Sequence, residues 1–324
     1  MAFEVEARPD GLPAVAAVTA GLDIGLVNNM PDSALEGTEA QFTALLRAAC
    51  GERTVRLRVA SLADLPRGAE ARALIEARYW PLDRLLASKP DALIITGTEP
   101  KAGLLSDEPY WRQLTDVMDH AATRTISSIF SCLAAHAVVL HLDAIPRRRL
   151  ETKRFGVYSE RIQVEHPLTA NLGEVVRTPH SRWNDLSADA LLDAGYTILS
   201  ASADGGVGTF CRQGASLLLL FQGHPEYEER TLLKEYQRDV GRYISGEYRQ
   251  YPVTPQGYFA AEAVALLGDF ERGCQAASPK SLAAFPFKEV ARTLRNDWTP
   301  HAVGIYRNWL DFIETRKRNA APAD

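Results

Sequence analysis

Between residues 22 and 142 the chain alternates short apolar runs with helical ones, and few folds accept that alternation. The apolar runs are L-D-I-G-L-V (22–27), T-V-R-L-R-V-A (54–60), D-A-L-I-I-T-G-T (91–98) and T-I-S-S-I-F (125–130). Helical spacing fills the gaps. Thr38 stands where it can cap a helix through E-A-Q-F-T-A-L-L-R-A-A, residues 70–88 read as helix interrupted at Pro81, and 110–122 as another. Strands alternating with helices imply crossover connections and a parallel sheet. The expected fold class is therefore α/β, with a doubly wound, mostly parallel sheet. Ligands of such sheets bind beyond the carboxyl ends of strands, which is where Gly97 and Cys132 fall.

Past residue 142 the pattern changes. R-R-R-L-E-T-K-R-F-G-V-Y (147–158) is a dense basic run that breaks the alternation, and R-T-P-H-S-R-W-N-D-L (177–186) reads as a polar, aromatic loop. Residues 196–203, 208–212 and 216–222 read as strands around Gly-rich turns, followed by an amphipathic helix over 228–243. Two more helical stretches, 258–273 and 300–316, are placed to cap the sheet or to build a dimer contact. Residues 1–20 read as a loosely ordered, Ala- and Pro-rich leader. Residues 21–324 then form a single domain with a C-terminal helical extension at about 256–318.

Composition narrows the functional classes. A net charge of −5 argues against a broad nucleic-acid surface. Cys50, Cys132, Cys211 and Cys274 are scattered without a C-x-x-C pair, so neither a zinc site nor a disulfide framework is expected, and no metal is assigned. The apolar runs fall far short of a membrane span, and residues 1–20 lack the cationic start of a signal peptide. The expected location is the cytoplasm.

The stretch S-S-I-F-S-C-L-A-A-H-A-V-V-L-H-L (127–142) carries the chemistry. A strand ends at Phe130 and a helix begins right after Cys132, without a loop. There the helix dipole and unpaired N–H groups favour a thiolate, and the N–H of Leu133 is a candidate oxyanion donor. Alone, Cys132 reads equally well as a small buried hydrophobe. His224 and Glu226 shift that balance. The buried strand S-L-L-L-L-F-Q runs into G-H-P-E, placing an imidazole at a second strand end and a carboxylate two residues on. An imidazole takes the thiol proton and the carboxylate fixes its tautomer.

The strand–Cys–helix junction followed by Gly-His-Pro-Glu resembles the class I glutamine amidotransferases, and more closely the homoserine O-succinyltransferase (homoserine O-acyltransferase) family that shares their fold. The resembling segments are N-N-M-P and T-E-A-Q-F within 28–42, D-A-L-I-I-T-G at 91–97, Tyr110-Trp111, F-S-C at 130–132 and Ile145-Pro146. They continue with E-T-K at 151–153, G-V-Y at 156–158, P-H-S-R-W at 179–183, G-H-P-E-Y at 223–227 and Asn308-Trp309-Leu310. In this order they span about residues 22–316.

The resemblance implies a flavodoxin-like sheet of the class I glutamine amidotransferase type with extra C-terminal helices. It also implies ping-pong transfer of a succinyl or acetyl group from acyl-CoA to the hydroxyl of homoserine, in methionine biosynthesis, by a homodimer. Acyl-CoA would be a co-substrate, with no cofactor held permanently. Cys132 matches the nucleophile, His224 the base and Glu226 its partner. Glu235 and Arg238 match positions for the amino-acid substrate, and their i, i+3 spacing puts them on one helix face. Lys153, Ser181 and Arg182 match polar residues of the same pocket. Lys153 also belongs to the basic run from Arg147 to Arg154, which could meet the CoA phosphates. Lys101 aligns with the position that tunes succinyl against acetyl, where the family uses glycine or glutamate. The chain departs from the pattern at Leu133, often tryptophan, at His136, usually glutamine, and in the first loop from Asp32 to Gly37, which lacks the usual lysine. L-Serine as acceptor, a glutaminase-type amidohydrolase and a non-catalytic binding protein on the same fold are the competing readings.

Overall fold

Ten strands form one sheet in the computed structural model, which describes residues 3–8, 21–275 and 281–320. In chain order its first half comprises β1 (Phe3–Val5), β2 (Leu22–Val27), α1 (Leu35–Ala49), β3 (Val55–Ala60), α2 (Ala69–Arg78), α3 (Leu82–Ala87), β4 (Ala92–Ile95), α4 (Trp111–Arg124), β5 (Ser127–Ser131) and α5 (Leu133–Asp143). The second half comprises β6 (Arg148–Ile162), β7 (Val175–Asp185), α6 (Ala188–Asp193), β8 (Thr197–Ser202), β9 (Gly206–Gln213), β10 (Leu217–Phe221), α7 (Thr231–Ile244), α8 (Ala261–Cys274), α9 (Phe287–Ala291) and α10 (Thr299–Ala320).

The spatial order is β1-β3-β2-β4-β5-β10-β9-β8-β6-β7. The first six strands run parallel and the rest pair antiparallel. Leaving out β1, the parallel strands in chain order lie 2-1-3-4-5, the flavodoxin-like arrangement. Both faces of the sheet are covered, so its central strands are buried almost throughout rather than on alternate residues. Ile24, Leu26, Leu57 and Ile129 pack into a core shared with α1 and α10; Val27, Leu93, Ile95 and Phe130 pack into one shared with α4 and α5. A third cluster joins α7, α8 and α9 around Tyr236, Phe270 and Trp298.

Several expectations need correction. Phe3–Val5, inside the stretch read as a loose leader, pairs in parallel with β3 as an edge strand; residues 9–20 lie outside those described. Thr38 does not cap α1. The helix already starts at Leu35, and Thr38 is buried within it. The basic run and the polar loop are the two long strands β6 and β7, an antiparallel hairpin at the far edge of the sheet. The first residues of β6 are charged and exposed, while β7 buries His180, Arg182 and Asp185, so the apolar and polar alternation that would have marked a strand is blurred in both. Of the C-terminal helices, α10 covers the sheet. Trp309 in it donates from Nε1 to Ser127 Oγ at 2.9 Å, and that hydroxyl donates to Leu217 O at 2.7 Å. Among the described residues, no helix is long and apolar enough to cross a membrane.

Candidate active site

The turn from β5 into α5 is made by Cys132 alone, at φ 51° and ψ −110°. An L-residue reaches that backbone region only under strain, and such strained strand-to-helix turns present a nucleophile above the sheet. Its N–H is tied to Phe221 O at 2.7 Å, across to β10. The N–H of Leu133 has no backbone acceptor among the described residues, as befits the first turn of a helix. Gly97 makes room at this point: a Cβ there would lie 2.7 Å from Leu133 Cβ and 3.0 Å from its nitrogen.

β10 is the parallel neighbour of β5, with Phe221 opposite Ser131, so the two strands end side by side. His224, three residues past Phe221, is buried and shares a hydrogen bond between its Nδ1 and Glu226 Oε1 at 2.8 Å. Ser131 Oγ donates to the same carboxylate oxygen at 3.4 Å. Burial alone would keep His224 neutral. The charge of Cys132 and the carboxylate of Glu226 outweigh it, and a hydrogen bond to Cys132 adds to them, so its pKa stands well above the ordinary histidine value. The ring also stacks on Tyr227 at 4.2 Å between centroids.

These groups open into a cavity of about 320 Å³ that Lys153, Ser181, Arg182, Glu235 and Arg238 also line. Glu235 is fixed through both oxygens: Ser181 Oγ donates to Oε2, and Tyr227 Oη donates to Oε1 at 2.5 Å. Asp239, buried beneath, receives Lys153 Nζ at 2.8 Å and Arg238 through Nε at 3.0 Å and Nη2 at 2.9 Å. Arg238 stays half exposed, its guanidinium between Asp239 and the cavity. Desolvation opposes its charge, but Asp239 and Glu235 raise its pKa above the ordinary value. A carboxylate and two cations on one wall suit the ammonium and carboxylate of an amino acid.

The structure thus brings Cys132, His224, Glu226, Leu133, Lys153, Ser181, Glu235 and Arg238 together. Arg182 also reaches the cavity, but its donors are spent on Asp185 Oδ1 and Asn184 O, both at 2.8 Å, on His180 Nδ1 at 3.2 Å and on Gly205 O. It braces the wall instead of offering a free cation. Lys101 does not line the cavity. It sits exposed at a neighbouring hollow, its N–H held by Glu108, while Thr98, Glu99 and Pro100 of the same loop form the cavity rim. Sequence reasoning missed Asp239 and Tyr227, although the first adjoins Arg238 and the second completes G-H-P-E-Y. Among the described residues, no group of three or more His, Cys, Asp or Glu could hold a metal ion.

The sheet order and the Cys–His–Glu set at two adjacent strand ends define a protein of the class I glutamine amidotransferase-like fold. Solved structures agree on that fold: a glutamine amidotransferase from Methylobacillus flagellatus matches with TM-score 0.51 at 13% identity, covering 90% of this chain and 95% of its own. A GMP synthase component from Thermoplasma acidophilum matches with TM-score 0.50 at 12% identity, covering 92% and 97%. At the level of sequence, the family model for homoserine O-succinyltransferase matches residues 13–319. The chain belongs to the homoserine O-succinyltransferase family. Relatives bearing that name include proteins of Methylorubrum extorquens, 44% identical over 93% of this chain and 89% of theirs, and of Rhodopseudomonas palustris, 42% identical over 92% and 90%. One from Bradyrhizobium japonicum is 42% identical over 90% of each chain.

Proposed function

We propose that this protein is an acyl-CoA-dependent homoserine O-acyltransferase that moves a succinyl group through a thioester on Cys132. The observation that carries this reading is one cavity holding both the Cys132–His224–Glu226 set and the Lys153–Glu235–Arg238 cluster. Family membership supports the homoserine acceptor and the succinyl donor.

In the first half-reaction, Cys132 Sγ attacks the thioester carbonyl of acyl-CoA. The oxyanion forms within reach of the Leu133 N–H, and the CoA thiolate leaves with the proton of the His224 imidazolium. His224 is then neutral. In the second, it takes the proton of the homoserine hydroxyl as that oxygen attacks the acyl-enzyme. Collapse expels Cys132 as thiolate beside a restored imidazolium, the protonated form that the raised pKa of His224 favours. Glu235 and Arg238, with Lys153, hold the amino acid by its two charged groups, so that its side-chain hydroxyl points to the thioester. This reading needs no permanently bound cofactor. It assigns the enzyme to methionine biosynthesis in the cytoplasm, as a homodimer.

Incubation with succinyl-CoA should add one acyl group to the peptide bearing Cys132, seen by mass spectrometry and absent in Cys132→Ala. L-Homoserine should discharge it to the O-acyl ester, and L-serine more slowly. No adduct with any acyl-CoA, or ammonia release from glutamine, would overturn the reading.

A further inference from the structure

Six cations line the catalytic cavity: Arg147, Arg149, Lys153, Arg182, Arg238 and Arg242. Five are engaged by protein groups. Lys153 and Arg238 are held by Asp239, and Arg182 by Asp185. Arg242 lies 3.5 Å from Glu247 and 3.8 Å from Glu99 and donates to Tyr248 Oη at 3.0 Å, and Arg149 lies over the Trp183 ring at 4.5 Å. Arg147 alone has neither an ion pair nor a hydrogen bond nor a ring beneath it among the described residues, although it is half-buried.

A guanidinium withdrawn from water without a partner is costly, and such a group calls for an anion. Arg147 lines the same cavity as Cys132. Burial lowers the pKa of Arg147, while Tyr110 and then Cys132 act to raise it. A succinyl group attached at Cys132 carries its free carboxylate three carbon–carbon bonds from the thioester carbon, roughly 4 Å away. A cation near Cys132 is where that carboxylate must go, and an acetyl group has nothing to offer it.

Resting on the acyltransfer reading above, we propose that Arg147 is the specificity-determining anchor for the distal carboxylate of a dicarboxylic acyl donor. Lys101 lies outside the cavity and takes no part. The Arg147 fork receives the carboxylate, so donor choice is made before the acceptor binds.

The test compares succinyl-CoA with acetyl-CoA, two donors that share every phosphate and the whole pantetheine arm. The rate of Cys132 thioester formation is measured in single turnover for the wild type and Arg147→Met. Losing a charged hydrogen bond should lower kcat/KM for succinyl-CoA about 10- to 100-fold more than for acetyl-CoA in Arg147→Met. The acetyl-CoA rate also shows that the variant is folded. Equal loss with both donors would overturn the inference, because Arg147 would then meet the common CoA portion. A wild type that makes no thioester with either donor would instead remove the acyltransfer reading beneath it.

Discussion

Cys132 occupies a backbone conformation that an L-side chain adopts only under strain, at a cost on the order of 1–3 kcal/mol. Glycine meets no such penalty, although at ordinary positions it is less stable than alanine. Cys132→Gly should therefore unfold at a higher temperature than Cys132→Ala, an inversion of the usual order that a thermal melt reads directly; both variants should be inactive. His136 gives a second test at this scale. Its Nε2 lies 2.8 Å from Gln222 Oε1, and burial first, then Arg182, push its pKa down from 6.5 to about 3. The unfolded chain takes up this proton when the folded protein does not. Stability is thus fully present above pH 6.5 and is lost as pH falls toward 3, at about 1.4 kcal/mol per pH unit. His136→Gln should flatten this acid limb in urea-unfolding curves recorded across that window, and an unchanged slope would contradict the assignment. The meeting of Cys132, His224 and Glu226 was legible because strand ends and motif spacing mark it. The placement of Lys101 was not, since alignment to a loop says nothing of which hollow its side chain faces. Nor was the engagement of Arg182, whose partners Asp185, Gly205 and Gln222 come from three separate segments.

At the scale of elements, the parallel half of the sheet was readable because its strands are covered on both faces and are rich in apolar residues between helical stretches. β6 and β7 were not. Arg148, Arg149, Glu151 and Thr152 lie exposed, and only residues 155–158 form an unbroken buried stretch. A run that is part solvated and part core shows no single period. This hairpin matters to the site, because β6 carries Lys153 and β7 carries Ser181 and Arg182. It is fastened at Gly156, where Gln256 donates to Phe155 O and Val157 donates to Gln256 O, both at 2.8 Å. Gly156 has φ 147°, and a Cβ on it would lie 2.1 Å from Gln256 O. Gly156→Ala should cost about 3 kcal/mol or more, from strain and forced separation together. Hydrogen exchange should show the amides of Val157 and Gln256 losing protection first, and uniform protection would argue against a local fastening.

For the whole molecule, the telling link is Trp309. Its indole N–H reaches Ser127 on β5, and Ser127 reaches Leu217 on β10, the two strands that end in Cys132 and lead to His224. A helix from the far end of the chain thus holds the strand that ends at Cys132 and the strand that leads to His224 in register. Trp309→Ala should cost about 3–5 kcal/mol in urea-unfolding free energy, from the cavity and the lost hydrogen bond. Variant enzyme that remains folded should still form the Cys132 thioester, more slowly. The spacing of residues 300–316 showed a helix there, but nothing local announced that it would lie on the same core as α1.

That placement has a consequence for how the protein is made. A ribosome releases α10 only after every strand of the sheet has emerged. Until then the apolar face formed by Ile24, Leu57, Ile129 and Leu219 lacks the cover that Tyr306, Trp309 and Ile313 later give it. The nascent chain therefore passes an aggregation-exposed interval with that face covered by α1 alone. A polypeptide that stops before α10 should remain exposed there and aggregate.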